Sequence, residues 1–207
     1  MEWAVHRETP HYAVSVASSR IDFAGEMRKL LQRVLARLSG MLDSGPMGNE
    51  AVIARLRARG VRIGEGCVIY TESFSTEPYL ITLGDRVAIS GGTKFATHDA
   101  SVWLMRPERP AVQSFGTITI GSNTFIGENC IILSNATIGA HCIVGAGSVV
   151  RGHIPDNSVV VGNPASVVGR ASLLIEMLRE SKNTMDTLTL GSEERRDRLL
   201  RHFGLPR

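Results

Sequence analysis

Aromatic residues make up 5% of this 207-residue chain, and cysteine occurs three times. A core with so few rings has to be filled by aliphatic and small side chains. Cys67, Cys130 and Cys142 cannot pair evenly, and their spacing matches no metal-binding pattern, so no disulfide framework and no metal are expected. No stretch approaches the roughly 18 apolar residues of a membrane span. The opening MEWAVHRETPHYAV lacks the basic-then-apolar order of a secretion signal. A cytoplasmic protein in a reducing compartment is expected. Charge is nearly balanced, at +3. The basic excess is local: Arg28, Lys29, Arg33 and Arg37, then Arg55, Arg57, Arg59 and Arg62. No interleaved aromatics or nucleic-acid motif accompany it, so no nucleic-acid partner is expected. A solvated helix face is expected instead, with peripheral contact to an anionic membrane as the alternative. What the chain does have is glycine, 21 residues of it.

Those glycines fall into a pattern. Ile120, Ile126, Ile132, Ile138, Val144 and Val150 recur every six residues. Four residues after each of the first five stand Thr124, Cys130, Ala136, Cys142 and Ser148, all small. Three residues after come Asn123, Asn129, Asn135, His141 and Gly147. Helices repeat near 3.6 residues and simple strands at 2, so a period of six is one short strand plus one corner. An even separation returns to the same strand face, so the branched aliphatic and the small residue both point inward. The three cysteines occupy that small slot and are read as core fillers. Asn, His and Gly sit where the chain turns, because Asn and Gly best tolerate left-handed backbone angles. The pattern predicts a β-solenoid with three faces per coil.

Along the chain, residues 1–19 show no usable periodicity. Met27, Leu30, Leu31, Val34, Leu35 and Leu38 mark a helix, and Asn49 is expected to cap a second one that ends at Gly60. Hexads begin at Ile63, slip in phase across Glu72–Tyr79, and resume through Leu83, Val87, Ile89, Thr93 and Phe95. They fail again between Phe95 and Ile118, where prolines and charges predict a long loop, 97–117, of the kind that usually carries function. Ser172 is expected to cap a helix after the solenoid, and SEERRDRLLRHFG forms a last one. This divides the chain into an N-terminal arm with helices (1–60), a β-solenoid (61–170) and C-terminal helices (171–207).

The runs IGENC, IGAHCIVGAGSVV and IPDNSVVVGNPASVV, with FSTEPYLITLGDRVAISGGTKFATHD upstream, resemble the hexapeptide-repeat acyltransferases. Within them the likeness is to the sugar O-acetyltransferase branch of the maltose/galactoside and capsular-polysaccharide type. It covers roughly Val61 to Val168. The resemblance implies a left-handed parallel β-helix, a homotrimer, and acetyl transfer from acetyl-CoA to a saccharide hydroxyl, free or lipid-linked. Handedness and oligomeric state come from the resemblance alone.

Removing a hydroxyl proton needs a base, and imidazole suits neutral pH. The family's catalytic histidine lies in a Thr-His-Asp segment, which matches Thr97-His98-Asp99. His98 is therefore the expected base, and Asp99 either orients it or touches the acceptor. For acetyl-CoA the resemblance implies Phe125, Gly127, Gly145, Ala146, Asn163 and Pro164. The glycines are equally explained by solenoid geometry. Where many members carry Lys before Ile-Pro, this chain has Arg151-Gly152-His153, so Arg151 and Arg170 are assigned to the phosphates. Glu77, Tyr79 and Trp103 are the acceptor candidates, through carboxylate hydrogen bonds and ring stacking. Two alternatives stay open: N-acetylation of an amino sugar or antibiotic, and a catalytically silent scaffold.

Overall fold

A computed structural model of the chain describes residues 46–206. The expected N-terminal arm, the helix over Met27–Leu38 and its cations Arg28, Lys29, Arg33 and Arg37 lie outside the described residues.

Helix α1 (Pro46–Ala58) precedes the first coil, and Gly60 ends it with φ of +95°. The helix begins before Asn49, so Asn49 is not its cap. Instead its side chain is buried and pairs with backbone as a strand would. Nδ2 donates to Ile69 O at 2.9 Å, and Oδ1 accepts from Ile69 N at 3.1 Å. A terminal coil has backbone groups with no next strand, and a carboxamide supplies the missing donor and acceptor. The arginines expected to face solvent have the same task. Arg57 donates to Ile63 O and Gly64 O, and Arg59 to Glu72 O and Ser75 O. Arg55 pairs with Glu72 at 2.6 Å. These cations tie the helix to the first coil.

Three parallel sheets then run along the solenoid. The first holds β1 (Arg62–Ile63), β3 (Ile81–Leu83), β6 (Ile118–Ile120), β9 (Thr137–Ile138) and β12 (His153–Ile154), in that order. The second holds β2 (Val68–Ile69), β4 (Ala88–Ile89), β7 (Phe125–Ile126), β10 (Ile143–Val144) and β13 (Ser158–Gly162). The third holds β5 (Lys94–Ala96), β8 (Ile131–Leu133) and β11 (Val149–Val150). Register places hexad over hexad: Ile120 pairs with Ile138, Ile126 with Val144, and Ile132 with Val150.

The aliphatic column is sealed, with Ile126, Ile132, Val144 and Val150 at 0% exposure. Burying each such side chain contributes roughly 1.5–3 kcal/mol. The small slot does more than fill space. Cys67 Sγ reaches Gly84 O, Thr93 Oγ1 donates to Gly127 O, and Thr124 Oγ1 to Gly139 O. Cys130 Sγ reaches Gly145 O and Cys142 Sγ reaches Pro155 O. Each of these side chains caps a corner carbonyl of the following coil that strand pairing leaves free. At the corners, Asn123, Asn129, Asn135 and His141 adopt φ between 56° and 63°, the left-handed conformation their slot requires.

The last coil ends in a hairpin. Strand β14 (Ala165–Arg170) folds back antiparallel on β13. Helix α2 (Ala171–Arg179) follows, and its first turn is served by Asn157, not by Ser172. Asn157 Oδ1 accepts from Ser172 N at 2.8 Å. Helix α3 (Ser192–His202) closes the chain at Gly204, as its sequence predicted. Among the described residues no helix is long and apolar enough to cross a membrane.

Candidate active site

The phase slip and the long loop meet at one corner of the solenoid. Phe74 and Phe95 stack in the core with ring centroids 4.3 Å apart; Ser75 follows Phe74 directly, and Thr97 follows Phe95 after Ala96. The stack therefore sets Ser75-Thr76-Glu77 against Thr97-His98. Arg59 holds the Ser75 carbonyl at 3.1 Å, and Ser75 itself has φ of 50°. The base of the loop is closed by Gly116 N donating to Thr97 O at 2.8 Å and Asp99 N to Ser114 O at 3.0 Å. Both ends of the loop thus brace the backbone of His98.

Glu77 is the imidazole's partner, with Oε2 3.0 Å from His98 Nδ1. The carboxylate is well anchored. Thr76 Oγ1 donates to Oε1 at 2.6 Å, and the buried Thr97 hydroxyl lies 2.9 Å from Oε2. The Thr76 hydroxyl first, then His98 and Thr97, outweigh burial and hold the Glu77 carboxyl at about 2. An ionised carboxylate only accepts hydrogen bonds, so the proton of the neutral ring belongs on Nδ1 and the lone pair on Nε2. Nε2 has no hydrogen-bond partner among the described residues. With 46% of its side chain exposed, His98 is open to a ligand, whereas Glu77 at 16% is shielded behind it.

Asp99 is not among the hydrogen-bond partners of the imidazole. Its carboxylate accepts from Ser101 N and caps the 3-10 helix Ala100–Met105, which holds its pKa below the ordinary range. That helix roofs a cavity of about 330 Å³. His98, Glu77, Asp99 and Thr76 line one part of it, with Arg106 and Phe115 among the other lining residues. Neither Tyr79 nor Trp103 lines it: Tyr79 is exposed beside Gly60, and exposed Trp103 lies under the Arg106 guanidinium. Of the three acceptor candidates, only Glu77 reaches the cavity. There it serves the imidazole, where a sugar contact was expected, and the hydroxyl-bearing residues Ser75, Thr76 and Thr97 are the sequence signal for that role.

Residues 117–152 match the family described as bacterial transferase hexapeptide (six repeats). The chain is 46% identical over 117 residues to "Protein CapG" of Staphylococcus aureus, covering 55% of this chain and 68% of that protein. The chain belongs to the hexapeptide-repeat acyltransferase family. It is also 26% identical over 148 residues to the "Putative lipopolysaccharide biosynthesis O-acetyl transferase WbbJ" of Escherichia coli (strain K12), covering 64% of this chain and 73% of that one. A solved maltose O-acetyltransferase from Clostridium difficile is 23% identical with a TM-score of 0.46, over 72% of this chain and 88% of its own. The chain spans about two-fifths of the serine acetyltransferases of solved structure that it matches.

In this acyltransferase the expected donor positions lie elsewhere from His98. Gly127 follows β7, Gly145 and Ala146 follow β10, and Asn163-Pro164 follow β13, so they stack along the corner between the second and third sheets. His98 follows β5, at the corner between the third sheet and the first. Within one chain these two corners flank the third sheet. Gly127 and Gly145 are required by the stacking itself: a Cβ would meet Ala146 N at 2.6 Å and Val161 Cγ1 at 2.7 Å. Phe125 is half exposed and lines a separate groove of about 870 Å³ beneath α2. Arg151 follows β11 and Arg170 ends β14, and both are exposed. The three thiols are buried, and burial pushes each of them up, away from the reactive thiolate. Among the described residues no group of three or more His, Cys, Asp or Glu is arranged to hold a metal ion.

Proposed function

We propose that this acyltransferase is an acetyl-CoA-dependent O-acetyltransferase acting on a saccharide hydroxyl in glycan or polysaccharide biosynthesis. The observation that carries this reading is the Glu77–His98 pair at the mouth of the loop cavity. The O-acetyl transferase and lipopolysaccharide named for one relative support the reaction and the acceptor class.

The reaction runs by direct transfer in a ternary complex. His98 Nε2 takes the proton of the acceptor hydroxyl as the oxygen attacks the thioester carbonyl. Glu77, held ionised, keeps Nδ1 protonated and stabilises the imidazolium that forms. The tetrahedral adduct then collapses, the C–S bond breaks, and the proton passes to the departing CoA sulfur. A cysteine acyl-enzyme is disfavoured by the buried, protonated thiols.

The donor lies along the corner of Gly127, Gly145, Ala146, Asn163 and Pro164, with Phe125 beside it and Arg151 and Arg170 toward the phosphates. A left-handed coil assembled as a homotrimer would set that corner of one subunit against the His98 corner of the next. The separation of the two corners within a chain favours such a shared site. The remaining division is an arm with helices over 1–60, the catalytic solenoid over 61–170 and helices over 171–207, in a cytoplasmic protein.

The test is CoA release from acetyl-CoA against sugars, amino sugars and sugar nucleotides. Turnover with a hydroxyl acceptor supports the proposal. Turnover confined to amines would replace it with N-acetylation, and failure to bind acetyl-CoA would leave a solenoid scaffold.

A further inference from the structure

The cavity beside His98 has one cationic wall. Arg106 is the only Arg or Lys among its lining residues. Its guanidinium rests over the Trp103 ring, 4.7 Å from the centroid, and makes no ion pair or side-chain hydrogen bond with any described residue. Stacking on an indole face fixes a guanidinium while leaving its in-plane N–H groups free. Those groups form a planar fork suited to a carboxylate or a phosphate.

The other charges in the cavity are already committed. Glu77 serves His98 and the Thr76 and Thr97 hydroxyls, and Asp99 caps the 3-10 helix at Ser101 N. Asp99 and Arg106 are the two caps of that helix, Ala100–Met105. A 3-10 helix rises about 2 Å per residue, so their backbones stand roughly 14 Å apart. The carboxylates thus gather at the His98 end and the unspent cation at the far end. A volume of about 330 Å³ is at the small end of the usual range for ligand sites, which suits one sugar ring rather than an oligosaccharide.

We infer that the acceptor is an anionic saccharide, whose carboxylate or phosphate is taken by Arg106 while a ring hydroxyl is presented to His98. This rests on the saccharide-acceptor reading above. Trp103 then contributes by holding Arg106 and not by stacking on sugar.

The inference is tested by titrating the full chain, without acetyl-CoA, with galacturonate, galactose 1-phosphate and neutral galactose. Saturation-transfer NMR or calorimetry reads the affinities. At least one anionic sugar is expected to bind about tenfold or more tightly than galactose, with the preference shrinking as salt rises. Which one does so identifies the anion. Arg106→Gln should bring the ratio near one, and Arg106→Lys should leave it intermediate because it lacks the fork. Arg109→Gln, a cation of the same loop outside the cavity lining, should leave it intact. Arg106 also sits favourably at a helix C-terminus, but a merely structural role would not move an anion-to-neutral ratio. Equal binding of galactose, no binding of any of the three, or a preference that survives Arg106→Gln would each overturn the inference. Because the titration needs no acyl transfer, an absence of turnover would count against the O-acetyltransferase reading and not against this one.

Discussion

The coils after Ile118 and the corner at which the first three coils join use the same hexad repeat in opposite ways. From β6 to β11 every hexad repeats, and each inward position is buried beneath its counterpart. Between Glu72 and Thr117 the repeat slips once and breaks once. The two irregularities come together at His98: the slip delivers Glu77, and the break delivers the cavity. Regular hexads bury their inward side chains against one another. Chemistry needs side chains excused from that packing, and the departures supply them.

The contrast is sharpest for His98 against its counterpart in the regular coils, the corner residue His141. His98→Ala should lower kcat by about 100-fold or more, the usual general-base contribution. His141→Asn, which keeps a residue tolerant of the left-handed corner, should leave kcat within about twofold. Comparable losses in both would erase the distinction between the two regions.

Ile132→Ala, in the regular column, should cost about 2–5 kcal/mol in urea unfolding. His98→Ala, half exposed, should cost less than about 0.5 kcal/mol, as surface changes do.

Glu77 belongs to both descriptions, and pH separates them. Glu77→Gln should reduce kcat by about tenfold, part of the general-base contribution, because the amide no longer fixes the Nδ1 proton or stabilises the imidazolium. Its carboxyl is lowered from the ordinary 4.5 to about 2, so the ionised form stabilises the fold. That contribution is complete above about 4.5 and disappears as pH falls toward 2. The stability gap between wild type and Glu77→Gln should therefore narrow across that window in denaturant titrations. A gap independent of pH would mean that the carboxylate is not held as described.

Stability also tests the corners themselves. Asn129→Ala should cost about 1–2 kcal/mol because alanine resists a φ of 56°, while Asn129→Gly should be milder. Equal costs in thermal unfolding would assign the role of Asn129 to its side chain.

Much of this architecture is legible in the residues alone. Period six with Ile or Val, a small residue and Asn at set offsets predicts a coil of short strands and corners, because each slot has its own steric demand. The inward cysteines, the left-handed backbone angles at the corners and the long loop all follow from local pattern. Where reasoning by sequence neighbourhood fails, the partner is distant. Asn49 pairs with Ile69, Asn157 serves Ser172, and Glu77 rather than adjacent Asp99 holds His98. The arginines of α1 satisfy carbonyls that exist as open acceptors only because a coil ends there.

The sequence by itself determined the solenoid, since a repeat that buries every sixth residue reports a local geometry multiplied along the chain. Only the tertiary structure decided which carboxylate serves the imidazole and which cation is left without a partner. Those pairings join coils about twenty residues apart or cross a loop whose closure no local periodicity encodes.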